Sequence, residues 1–125
     1  MESPIIGSII GYRYQVTFEL GSGGFGDVVA ARDTLKGTQV AIKCIKPGGE
    51  KSARREIAQL KKLGEHNPED NFCLRLSQDF IFEGRIYMIF PLLGQSVREF
   101  MEMAAVDGRR IFTNEQVKHI AHQLL

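Results

Sequence analysis

The sequence predicts an α+β fold: a five-stranded antiparallel sheet with one helix inserted in it, followed by further helices. Three observations predict it. Short runs rich in Val, Ile, Tyr, Phe and Thr, separated by Gly-rich or polar turns, fill most of the first ninety residues. A single segment of helical spacing interrupts them, and beyond residue 95 the pattern is helical throughout. The chain of 125 residues is about one domain by the prior of roughly 100 to 200 residues per domain. It divides into an N-terminal extension (1–11), a main unit (12–94) and a helical portion (95–125).

Taken in order, YRYQVTFEL (12–20), DVVAARD (27–33) and TQVAIKCIK (38–46) read as strands. Their short links, a glycine-rich turn and TLKG, favour antiparallel hairpins. PGG (47–49) breaks the pattern. In the helix EKSARREIAQLKKLG (50–64), Ala53, Ile57, Leu60 and Leu63 fall near one face, with Gly64 suited to a C-terminal cap. After the polar segment 65–71, FCLRLSQDFIF (72–82) and RIYMIF (85–90) flank Glu83 and Gly84 as a second hairpin. Ser96 with Glu99, and Thr113 with Gln116, are capping-box pairs opening two later helices. The last helix carries a stripe of Val117, Ile120, Ala121 and Leu124 that needs a surface to pack on.

Composition narrows the function classes. With 43% hydrophobic and 25% charged residues and a formal net charge of +1, no electrostatic argument favours nucleic acid or an anionic membrane as partner. No apolar run approaches the roughly 20 residues of a membrane span. The N-terminus, with Glu2, Pro4, Gly7 and Gly11, does not read as a signal peptide, and Cys44 and Cys73 read as small buried hydrophobes in a reducing compartment. The expectation is an intracellular protein of the nucleus or cytoplasm, with no metal-ligand cluster in this chain.

The stretch LGSGGFGDVVAARD (20–33) carries the chemistry. Its G-x-G-x-x-G spacing lets backbone N–H groups approach phosphate oxygens with no Cβ in the way. In a dinucleotide-binding Rossmann unit a helix would follow the last glycine. Here β-branched Val28 and Val29 and a further strand-like run follow, which favours a hairpin whose turn folds over a nucleotide. A purely structural turn is the remaining alternative.

Lys43 lies in VAIK (40–43), between apolar residues on both sides, where a strand would run through the centre of the sheet. A buried cation needs a compensating anion, because an unpaired buried charge costs several kcal/mol. A nucleotide's phosphates are one source. Glu56 is another: it shares the helical stripe with Ala53, Leu60 and Leu63 and has no cation at i±3 or i±4, so a strand-to-helix ion pair with Lys43 competes with the reading of a solvated glutamate.

Glycine loop, strand lysine and helix glutamate in this order resemble the N-terminal lobe of a eukaryotic protein kinase. The resemblance implies ATP as cofactor, with Gly21, Ser22, Gly23, Gly24, Phe25 and Gly26 over the phosphates and Leu20, Val28 and Ala41 around adenine. It implies Lys43 and Glu56 as the catalytic-site pair, Phe90 as gatekeeper, and PLLG (91–94) as the hinge, where Pro91 offers its carbonyl and Leu93 its N–H. Pro91 stands where the family has an acidic residue. Within the kinases, YRYQVTFELGSGGFGDVV, FPLLGQSVREFM and QVKHIAHQLL look most like the LAMMER or CLK branch of the CMGC group, with the related DYRK and SR-protein kinases as the alternative assignments.

That resemblance implies phosphoryl transfer to serine or threonine hydroxyls of protein substrates, Ser/Arg-rich ones in the LAMMER branch. The family's H-R-D-x-x-x-x-N loop and D-F-G motif, which supply the base and the magnesium ligands, do not occur in this sequence. The helices after residue 95 would then be the first of a truncated C-terminal lobe. Magnesium is expected only in a full-length kinase, and this chain by itself is expected to be inactive. The alternative from another class is a non-catalytic, pseudokinase-like binding module.

Overall fold

The computed structural model describes residues 5–22, 26–66 and 76–92, without the side chains of Ser22 and of 63–66. Gly23, Gly24, Phe25, Cys73, Leu93 and both helices expected beyond residue 95 lie outside the described residues.

The elements are β1 (Ile9–Ile10), β2 (Tyr14–Ser22), β3 (Gly26–Asp33), β4 (Thr38–Ile45), α1 (Glu50–His66), β5 (Gln78–Phe82) and β6 (Arg85–Pro91). They form one antiparallel sheet in the order β1-β2-β3-β4-β6-β5. The five long strands are those expected from the sequence. The two-residue β1 is an addition, taken from the segment read as an extension.

Turn chemistry accounts for the hairpins. Glu83 (φ 51°) and Gly84 (φ 77°) both take the left-handed backbone that a two-residue turn between right-twisted strands requires. At the β3–β4 turn the Asp33 carboxylate accepts from the N–H groups of Leu35 and Lys36, and Gly37 N–H closes onto the Asp33 carbonyl at 2.7 Å. Gly49 opens α1, its carbonyl accepting from the N–H of Ala53 at 3.0 Å. Gly64 does not end the helix, which runs to His66. A glycine inside a helix costs only about 1 kcal/mol, too little to stop it alone.

Both faces of the sheet are buried, so β3, β4 and β6 read as nearly continuous apolar runs. On one face Leu20, Val28, Ala30, Ala41, Ile45, Met88 and Phe90 join Ala53, Ile57 and Leu60 of α1 in a single cluster. On the other, Val16, Val29, Ala31, Val40, Ile42, Cys44 and Ile89 pack beneath Tyr14, Phe80 and Tyr87. Each fully buried side chain such as Ile42, Met88 or Ile89 contributes roughly 1.5–3 kcal/mol.

The sheet is strongly curled. β2 and β5 are four places apart in strand order, yet Tyr14 Oη donates to Gln78 Oε1 at 2.8 Å, Tyr14 stacks on Phe80 at 6.1 Å, and Tyr12 meets Phe82 edge-on at 5.4 Å. Gly11 is required at this closure: its φ is +61°, and a Cβ there would lie 2.9 Å from the Phe80 ring.

Candidate nucleotide site

Gly26 opens strand β3, which pairs antiparallel with β4 over its whole length and with β2 from Asp27 to Asp33, with no crossover helix. The dinucleotide-binding alternative fails on this point, since a Rossmann pyrophosphate sits on a helix N-terminus. β2 itself continues through Gly21 and Ser22, so the loop is the tip of a hairpin.

Strand alternation places the expected residues on one face. Val28 is the cross-strand partner of Lys43, and Lys43 in turn of Met88, while Ala41 pairs with Phe90. Leu20, Val28, Ala41 and Phe90 belong to the cluster that α1 covers, and all four are buried. Pro91, the last residue of β6, pairs with Val40.

Lys43 is buried among these residues, its side chain 5% exposed, and its Nζ stands 3.8 Å from Glu56 Oε2, whose side chain is 29% exposed. At that distance the contact is an ion pair rather than a hydrogen bond. Burial pushes the Lys43 ammonium below the ordinary lysine range, and Glu56 only partly offsets it. Burial likewise raises the Glu56 carboxyl, with Lys43 opposing. In both residues desolvation outweighs the mutual attraction. Lys43 is therefore a desolvated cation facing the apolar layer at the base of the glycine loop, an arrangement suited to an anionic group carried on a flat apolar body.

A second set of charges, on the opposite face, was not anticipated. Asp27, one residue past the loop's last glycine, points away from Val28 and is buried beside Arg85 and Lys46: Arg85 Nη2 lies 3.5 Å and Lys46 Nζ 3.9 Å from its carboxylate. Arg85 Nε also donates to the Ile45 carbonyl at 3.1 Å. The sequence signal was there, a charge at each end of otherwise apolar strands, but the partners are 19 to 58 residues away along the chain. Cys44, on the same face, is buried and its thiol is pushed up to about 12 by desolvation, so it is inert as a nucleophile.

A cavity of about 510 Å3 lined by Tyr14, Thr38, Gln39, Val40 and Ile89 also lies behind the sheet, in the layer opposite Lys43. Among the described residues no group of three or more His, Cys, Asp and Glu side chains could hold a metal ion.

The Protein kinase domain family matches residues 14–125. The chain is 36% identical over 95% of its length to the dual specificity protein kinase CLK2 of Mus musculus. It is 31% identical over 94% to the serine/threonine-protein kinase Doa of Drosophila melanogaster, and 33% identical over 94% to the probable dual specificity protein kinase madd-3 of Caenorhabditis elegans. It spans 24%, 14% and 13% of those relatives' lengths. A crystal structure of a kinase domain superposes with a TM-score of 0.65 at 23% identity, over 81% of this chain and 30% of that one, which speaks for the fold. The chain belongs to the protein kinase family, and its N-terminal lobe is of the CMGC, LAMMER/CLK-like kind.

Proposed function

We propose that the Lys43 face of the sheet binds ATP and that the chain is the N-terminal lobe of a kinase that phosphorylates serine and threonine hydroxyls of proteins. The observation that carries the reading is the buried Lys43, aligned between Val28 and Met88 and 3.8 Å from Glu56. Lys43 draws the α- and β-phosphates to it, and Glu56 fixes where its ammonium stands. Leu20, Val28 and Ala41 pack on adenine, Phe90 closes the back of the pocket, and Pro91 and Leu93 offer a carbonyl and an N–H to the base's edge. Gly21 and Gly26 anchor the loop that, with Ser22, Gly23, Gly24 and Phe25, covers the phosphates.

ATP supplies the phosphoryl group when bound: a substrate hydroxyl oxygen forms the new P–O bond, the bond to ADP breaks, and the hydroxyl proton leaves to a base. Neither that base nor a magnesium site is assigned to any residue of this chain. The division at residues 11 and 94, an intracellular site in nucleus or cytoplasm, inactivity of the chain by itself, and Ser/Arg-rich substrates belong to the same proposal. The Ser/Arg-rich substrates rest on the likeness to the LAMMER branch, the inactivity on the H-R-D and D-F-G motifs that do not occur in this sequence, and the intracellular site on its composition.

The test is titration of the chain with a fluorescent ATP analogue. We expect weak binding, and a further loss of about tenfold or more in Lys43→Ala, the scale of one charge-assisted contact. Tight binding that survives Lys43→Ala overturns the assignment. Nucleotide binding by a longer gene product that transfers no phosphoryl group to any protein would favour the pseudokinase-like module instead.

A further inference from the structure

We infer that Asp27, held by Arg85 and Lys46, is a positioning residue that anchors the root of the glycine loop from behind the sheet. The inference rests on the nucleotide-binding reading above and adds a residue to it on the opposite face.

Two contacts fix the loop where it rejoins the sheet. Gly26 lies so close to β4 that a Cβ would stand 2.3 Å from the Cys44 carbonyl oxygen, so this point is set by backbone packing on β4. The next residue, Asp27, is the cross-strand partner of Cys44 and sends its carboxylate to the outer face. There it meets Arg85 at the start of β6 and Lys46 just past the end of β4, with Asp27 and Arg85 side chains 2% and 6% exposed. Arg85 is itself tied to β4 through the Ile45 carbonyl. The carboxylate therefore links β3 to both strands that carry the lysine's neighbours. One position further, Val28 faces the other way, beside Lys43.

The consequence is mechanical. A glycine loop gains reach from its lack of side chains but loses order, and ordering it on a nucleotide costs affinity. Pinning its C-terminal root by a buried charge cluster, in a medium where charges interact strongly, removes part of that cost before the ligand arrives. None of the three charged side chains shares the face of Lys43, so the cluster acts on nucleotide binding only through the backbone of Gly26 and Val28.

Three variants of the chain test this: Asp27→Asn, the milder Lys46→Met at a partly exposed position that leaves the fold in place, and Asp27→Asn with Arg85→Gln, which removes both buried charges. Each is titrated with the fluorescent ATP analogue below its melting temperature, and amide exchange is followed by mass spectrometry without ligand. We expect about tenfold weaker binding for Asp27→Asn, the scale of restoring one ordering cost, a smaller loss for Lys46→Met, and partial recovery in the double variant. Exchange should rise at residues 21–29 and stay unchanged at 53–60. Variants that melt earlier yet keep wild-type affinity and wild-type exchange at 21–29 overturn the inference, because the cluster would then be structural alone. Should the wild-type chain bind no nucleotide, the functional reading has failed, and the exchange at 21–29 alone decides whether the anchor exists.

Discussion

Glu56 Oε2 stands 3.8 Å from Lys43 Nζ, joining α1 to the middle strand of the sheet at the only face α1 covers among the described residues. Both groups are desolvated, and each holds the other toward its charged form. Glu56→Gln should therefore lower the Lys43 pKa further, since it deletes the interaction that raises it and leaves the burial that lowers it. NMR titration of the lysine side chain reads this directly. An unchanged Lys43 pKa would show that the pair does not form in solution.

Gly26 and Gly84 predict unequal sensitivities. Gly26→Ala forces a Cβ against the Cys44 carbonyl, a backbone atom that cannot step aside, and should cost about 1–3 kcal/mol or more. Gly84→Ala has open space around it and only the positive φ of 77° to bear, at about 1 kcal/mol. Urea unfolding of the two variants ranks them, and equal losses would mean that β3 and β4 do not approach as closely as described.

The Asp33 carboxyl is held down to about 2 from the ordinary 3.8, chiefly by its paired hydrogen bonds from Arg13 at 2.8 and 2.9 Å. Because the folded value is the lower one, the unfolded chain takes up the proton first as pH falls. The stabilisation is complete above 3.8 and disappears as pH falls toward 2. Asp33→Asn should flatten the fall in stability across that window while lowering stability at neutral pH. Thermal melts between pH 2 and 7 check it, with an unaltered acid profile as the contrary result.

Phe90 is completely buried in the cluster beneath α1, directly opposite Ala41. Phe90→Ala should cost about 3–5 kcal/mol of unfolding free energy, the transfer of the ring plus the cavity it leaves. Phe90→Leu or Phe90→Met, which keep most of the volume, should cost much less. Denaturation midpoints at constant slope measure this, and a mild Phe90→Ala would place the ring outside the core and count against its role behind the nucleotide.

What the sequence determined by itself was local. Runs of strand-forming residues such as DVVAARD, TQVAIKCIK and RIYMIF, helical spacing in 50–64 and the turns TLKG and Glu83–Gly84 located the five long strands and the helix. The Lys43–Glu56 contact was legible in the same local pattern: a charge embedded in an apolar strand and another on an apolar helical stripe favour an inward pair over a solvated glutamate. What only the tertiary structure decided was which distant segments meet. Strand order brings β6 beside β4, and the curl of the sheet carries Tyr14 onto Phe80 and Gln78. The two-residue β1 forms because β2 offers it an edge. The grouping of Asp27, Lys46 and Arg85 arises in the same way: each is an ordinary surface charge by type, and burial together is imposed by neighbouring strands that no local pattern names.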